Sequence, residues 1–127
     1  MTGMKMTINL DTNIVLNFLD KNLSEKEKSI LNEQTDYCIS AMVLWELAML
    51  SSKNRIDFDF ESEEWKELSD VLTVLPITEA IASQSVKMDF RSDPADHIIA
   101  ATSIVHKIPL MTRDKDILKS KIVPFAS

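Results

Sequence analysis

Short apolar runs alternate with longer amphipathic ones along this chain, and that alternation predicts its elements. Met6–Leu10 reads as a strand and Asn13–Leu19 as a helix, with Asp11 at the turn between them. Ser24–Leu31 has the charged, amphipathic spacing of a helix. Thr35-Asp36 reads as a turn, and Tyr37-Cys38-Ile39 as a very short buried strand. Ser40 is placed to cap an apolar helix over Met42–Leu50. The segment Ser52–Phe60 is a loop carrying Lys53 and Arg55. A helix over Ser62–Leu72 gains from Glu63 and Glu64 in its first turn, where the dipole favours negative charge. Val71–Leu75 is a strand stopped by Pro76, and Thr78–Met88 a helix with Ala80, Ile81 and Val86 inward. Asp93 caps Pro94–Lys107, with Pro at the first helical position, where its missing N–H costs nothing. Ile108–Thr112 is a strand, Asp116–Lys119 a helical turn, and Ile122-Val123 a last edge strand.

Strands alternating with helices predict a three-layer α/β/α fold around a short, mostly parallel sheet. The 127 residues suit one domain spanning residues 1–127. The single glycine, Gly3, excludes a Gly-rich phosphate loop. No apolar run approaches the ~20 residues needed to cross a bilayer, so no membrane partner is expected. Residues 1–6 lack the apolar core of a signal peptide. Cys38 is the only cysteine, so no internal disulfide forms and a reducing cytoplasm is the expected compartment.

The net charge of −6 narrows the ways in which nucleic acid is held. Binding dominated by phosphate neutralisation calls for a basic protein, so any such contact here is local or goes through bound metal. The acids that matter fall where a charge is not free. Glu46 interrupts the apolar stretch from Ala41 to Leu50, and its same-face neighbours Met42, Val43, Met49 and Leu50 are all apolar. A carboxylate in such surroundings must be paired, protonated or bound to a cation, and this functional reading ranks ahead of a helix turned towards a partner subunit with Glu46 at its rim. Asp11 and Asp114 each follow a strand, where ligands of parallel sheets bind, though turn or cap chemistry explains either alone. Asp96 opens a helix, where capping alone stabilises an acid by about 0.3–1 kcal/mol. Asp93 and Asp116 read as caps. Neither His97 nor His106 has a His or Cys at zinc-ligand spacing, and no nucleophilic triad is recognisable.

With those stretches in view, the chain resembles the PIN-domain family, and within it the VapC-like ribonuclease toxins of toxin–antitoxin pairs. The matching segments are Leu10-Asp11-Thr12-Asn13, Ser40 through Glu46, Asp93-Pro94-Ala95-Asp96 with Ile98–Thr102, and Ile108–Asp114. They occur in the family's order and span nearly the whole chain. The resemblance implies a pocket of Asp11, Glu46, Asp96 and Asp114 that binds Mg²⁺ or Mn²⁺, supported by Thr112 and Asn13. It also implies a small antitoxin protein and a second copy of the chain as partners. One departure is visible: the family often has Arg where this chain has His97.

The chemistry of the residues points the same way. Carboxylates without His or Cys suit a hard, oxygen-preferring cation, and such an ion activates water for phosphodiester hydrolysis. The expected function is therefore metal-dependent cleavage of RNA, with Asp11 and Asp96 as main ligands. Arg113, Lys53 and Arg55 are candidate phosphate contacts, solvated surface charge being the plainer account of the last two. A non-catalytic interaction module, using the helix around Trp45 and Leu47 and the Phe58–Phe60 loop, is the alternative. Phosphoryl transfer through Asp11 ranks last, because Asn13 stands where a second Asp is usual.

Overall fold

Ile8, Asn9 and Leu10 are all fully buried, which on a strand means that both faces of the sheet are covered. They belong to β1 (Met6–Leu10), which in the computed structural model lies inside a parallel sheet with β2 (Thr35–Ser40), β3 (Leu72–Leu75) and β4 (Leu110–Met111). The spatial order is β3-β2-β1-β4, and the residues described are 6–127. The reading of residues 1–6 as free of a signal sequence lies, Met6 apart, outside them.

Parallel strands need long crossovers, and helices supply them. Helix α1 (Thr12–Leu19) and α2 (Glu25–Ile30) join β1 to β2, and α3 (Ala41–Ser52) and α4 (Glu63–Val71) join β2 to β3. Helix α5 (Glu79–Ser85) and α6 (Pro94–His106) then lead to β4, and a 3₁₀ turn, Ile117–Lys119, follows it. The starts are fixed by side chains read directly from the sequence. The Ser40 hydroxyl accepts from the Met42 N–H at 3.0 Å. Ser24 and Glu27 form a reciprocal capping box.

The packing of α3 decides where Glu46 points. Val43 and Leu47 are fully buried in the core with Ile8, Leu10, Ile14 and Ile99, each contributing about 1.5–3 kcal/mol. With that face inward, Glu46 is carried to its flank, half-buried. Helix α6 is tied to β1 by Asn9, whose amide donates to Ile99 O at 3.2 Å and Ser103 Oγ at 2.9 Å.

Four expectations are corrected. Thr35 and Asp36 belong to β2, because they pair in register with Met6 and Thr7. In α5 only Ile81 is buried. Ala80 is exposed, and Val86 is 83% exposed because the helix ends at Ser85 and leaves it at the C-cap. Ile122-Val123 forms no strand, and the last pairing comes later, where the Leu110 N–H donates to Pro124 O and the Leu110 carbonyl accepts from the Ala126 N–H. Asp116 makes no side-chain cap to the 3₁₀ turn; Asp114 does so instead, accepting from Asp116 N at 2.8 Å and Ile117 N at 3.2 Å.

Candidate metal centre

Three elements deliver one carboxylate each to the carboxyl edge of the sheet. Asp11 follows β1 directly and is the N-cap of α1, its Oδ1 accepting from the Thr12 N–H at 2.8 Å. Glu46 comes from the flank of α3. Asp96 lies in the first turn of α6, whose start is set by Asp93 in extended conformation and Pro94. One carboxylate oxygen from each of Asp11, Glu46 and Asp96 lies within 4.8 Å of the others.

Hydroxyl groups hold these acids in place. Thr112, just past β4, donates to Asp11 Oδ2 at 2.6 Å and accepts the Asp114 N–H at 3.0 Å. Thr12 donates to Glu46 Oε1 at 2.6 Å, and Ser92 donates to Asp96 Oδ2. Thr12 and Ser92 escaped the sequence reading. Their only signal is position, one beside Asp11 and the other four residues before Asp96, and both look like ordinary capping residues.

The electrostatics are those of a site with an unmet charge. Burial raises Asp11 to about 7, against the pull of Thr112 and Thr12, and repulsion from Asp96 and Glu46 adds to it. Burial likewise raises Glu46, opposed by Thr12 and reinforced by Asp96, Asp93 and Asp114. Asp96 is raised by burial, lowered by Ser92, and raised again by Asp114 and Asp93. Three acids held together and all shifted towards protonation form a cluster that a cation would stabilise. The donors are carboxylate oxygens without His or Cys, which fits a hard divalent ion such as Mg²⁺ or Mn²⁺ rather than zinc.

The remaining expected residues fall around this cluster in different ways. Asp114 lies outside the close triple, near enough to raise Glu46 and Asp96 while its Oδ1 caps the 3₁₀ turn. Asn13 Oδ1 accepts a long 3.4 Å bond from the Arg113 N–H, and among the described residues its side chain makes no hydrogen bond to the three acids. Arg113, expected as a phosphate contact, is engaged in an ion pair with Glu27. Its guanidinium donates to both Glu27 oxygens at 2.8 and 2.6 Å and to Asn22 O at 2.9 Å, which brings the Glu27 carboxyl down to about 2. Lys53 and Arg55 are exposed on the loop after α3. His97, where the family often has Arg, packs edge-on against Phe90 and its Nε2 lies 3.0 Å from the Phe90 carbonyl. Cys38 is buried, and its thiol is pushed up to about 11 by that burial, so it offers no nucleophile. Among the described residues no helix is long and apolar enough to cross a membrane.

The family model of the PIN domain matches residues 8–122. Ribonuclease VapC22 of Mycobacterium tuberculosis is 29% identical over 96 residues, 73% of this chain and 74% of that one. Two solved structures share the fold. VapBC2 from Rickettsia felis, bound to a DNA fragment from its promoter, superposes with a TM-score of 0.71 at 18% identity, over 94% of this chain and 97% of that one. A toxin–antitoxin complex from Klebsiella pneumoniae gives 0.59 at 24% identity, over 86% and 88%.

Proposed function

Because the chain belongs to the PIN domain family, we propose that it is a metal-dependent endoribonuclease and the toxin of a toxin–antitoxin pair. The observation that carries this reading is the meeting of Asp11, Glu46 and Asp96, one from each of three elements, with oxygens within 4.8 Å. The likeness to ribonuclease VapC22 supports RNA as the substrate, and the fold shared with a toxin–antitoxin complex supports a small antitoxin protein as partner. A homodimer is the expected assembly and the cytoplasm the expected compartment.

Asp11, Glu46 and Asp96 would hold Mg²⁺ or Mn²⁺, with Asp114 beside them adding negative charge. The ion, when bound, supplies an activated water and neutralises charge that develops on the phosphodiester. Thr112 and Thr12 keep Asp11 and Glu46 facing inward, and Ser92 does the same for Asp96. The buried position of Asp11 strengthens every charge interaction made there. Purified protein incubated with single-stranded RNA should cut it in Mg²⁺ or Mn²⁺ and not in EDTA. Asp11→Asn should be inactive, and equal cleavage by wild type and this variant would sink the proposal.

A further inference from the structure

Trp45 stands apart from the other aromatic residues. It is 57% exposed, while Trp65 is 7% exposed and packs edge-on against Phe58 and Phe60. Tryptophan is on average a highly buried side chain, so an open indole next to a reactive centre asks for an occupant. Trp45 immediately precedes Glu46 on α3 and lines a cavity of about 420 Å³. Met42, Met49 and Pro94 give this cavity an apolar floor, and Glu46 and Asp93 give it two carboxylates. The size suits a small planar ligand.

The chemistry of the walls selects among occupants. Two carboxylates repel a phosphate. A purely apolar side chain would fill the floor and make no use of Asp93, an exposed carboxylate that accepts no hydrogen bond among the described residues although it stands at the N-cap of α6. A neutral aromatic ring with N–H groups on its edge matches the indole, the apolar floor and the open acceptor together. Glu46 belongs both to this cavity and to the carboxylate cluster, so a ligand spanning the two places its ring and its phosphate side by side.

We infer that this cavity takes one nucleobase of the RNA strand, stacked on Trp45 with its N–H edge towards Asp93, next to the phosphate at the carboxylate cluster. This rests on the ribonuclease reading and adds to it a residue that holds the strand. Stacking one base on an aromatic ring is worth roughly a 5- to 150-fold change in affinity.

The test is a binding cycle in Ca²⁺, using the full chain and hexaribonucleotides whose integrity is checked on gels. Each oligonucleotide carries either all its bases or one abasic sugar, placed in turn at every position. Intact strands should quench tryptophan fluorescence in wild type. Trp45→Ala should bind them roughly 5- to 150-fold more weakly, with Trp45→Phe between and an unchanged melting temperature in both. At one position the abasic sugar should weaken wild type by a similar factor and leave Trp45→Ala unaffected. Equal losses in the two proteins, or no position at which wild type detects the missing base, overturn the proposal and leave the cavity to a protein segment. Cleavage by wild type in Mg²⁺ or Mn²⁺ is scored separately. Failure there speaks against the ribonuclease reading, while the binding cycle still decides whether a base sits on Trp45.

Discussion

Asp11 is the residue at which stability and function oppose each other. The residue is 3% exposed, and its carboxylate faces two other acids and, without metal, is ionised at a cost. Asp11→Asn keeps the shape and the acceptor for the Thr12 N–H while removing the charge. Metal-free at pH 8, this variant should therefore be more stable than wild type, by on the order of a few kcal/mol, in urea unfolding with EDTA. It should also lose Mn²⁺ binding in calorimetry. Thr112→Val removes only the hydroxyl that fixes Asp11, and should weaken metal binding by roughly 10–100-fold, as loss of an outer hydrogen-bond partner does. A stabilised Asp11→Asn that still binds Mn²⁺ like wild type would remove Asp11 from the site. Among the acids, Glu46 was the most legible in sequence, because its helical neighbours are all apolar. Asp114 was not separable from the others, since an acid after a strand looks the same whether it faces a metal or caps a turn.

At the scale of elements, the sequence foretold most strands and helices because the core pattern and the caps agree. The misses fall where tertiary pairing overrides local chemistry. Polar Thr35 and Asp36 become strand only because β1 offers them hydrogen bonds, and Val86 turns outward because α5 stops one residue before it. Arg113 is the instructive case. Beside Asp114 it reads as a cation for phosphate, yet it clamps the segment after β4 to α2 through Glu27 and Asn22. No local pattern signals a contact between residues 86 positions apart. Arg113→Ala should thus cost about 1 kcal/mol of stability, less in high salt, with the KM for RNA nearly unchanged. A large rise in KM with unchanged thermal stability would return Arg113 to the role of phosphate contact.

For the whole molecule the consequence is a coupling between pH, metal and stability. A folded-state acid raised from 3.8 to about 7, as Asp11 is, binds its proton more tightly folded than unfolded. Its contribution is fully present below the unfolded value and is lost as pH rises through about 7. Glu46 and Asp96 are shifted in the same direction. Glu27 is lowered to about 2 by Arg113, so its contribution is lost only in strong acid, well below this window. Between pH 6 and pH 8 the cluster alone therefore predicts that the metal-free protein loses stability as pH rises. A divalent ion reverses this, because it binds the ionised cluster and must displace the proton from Asp11 at the lower pH. Melting temperatures at pH 6 and pH 8, each with EDTA and with saturating Mn²⁺, separate the two effects. The shift caused by Mn²⁺ should be clearly larger at pH 8, with proton release on binding greater at pH 6 than at pH 8. An equal shift at both values would mean that the ion binds elsewhere, on groups that stay ionised throughout, and that the three buried carboxylates are not its ligands.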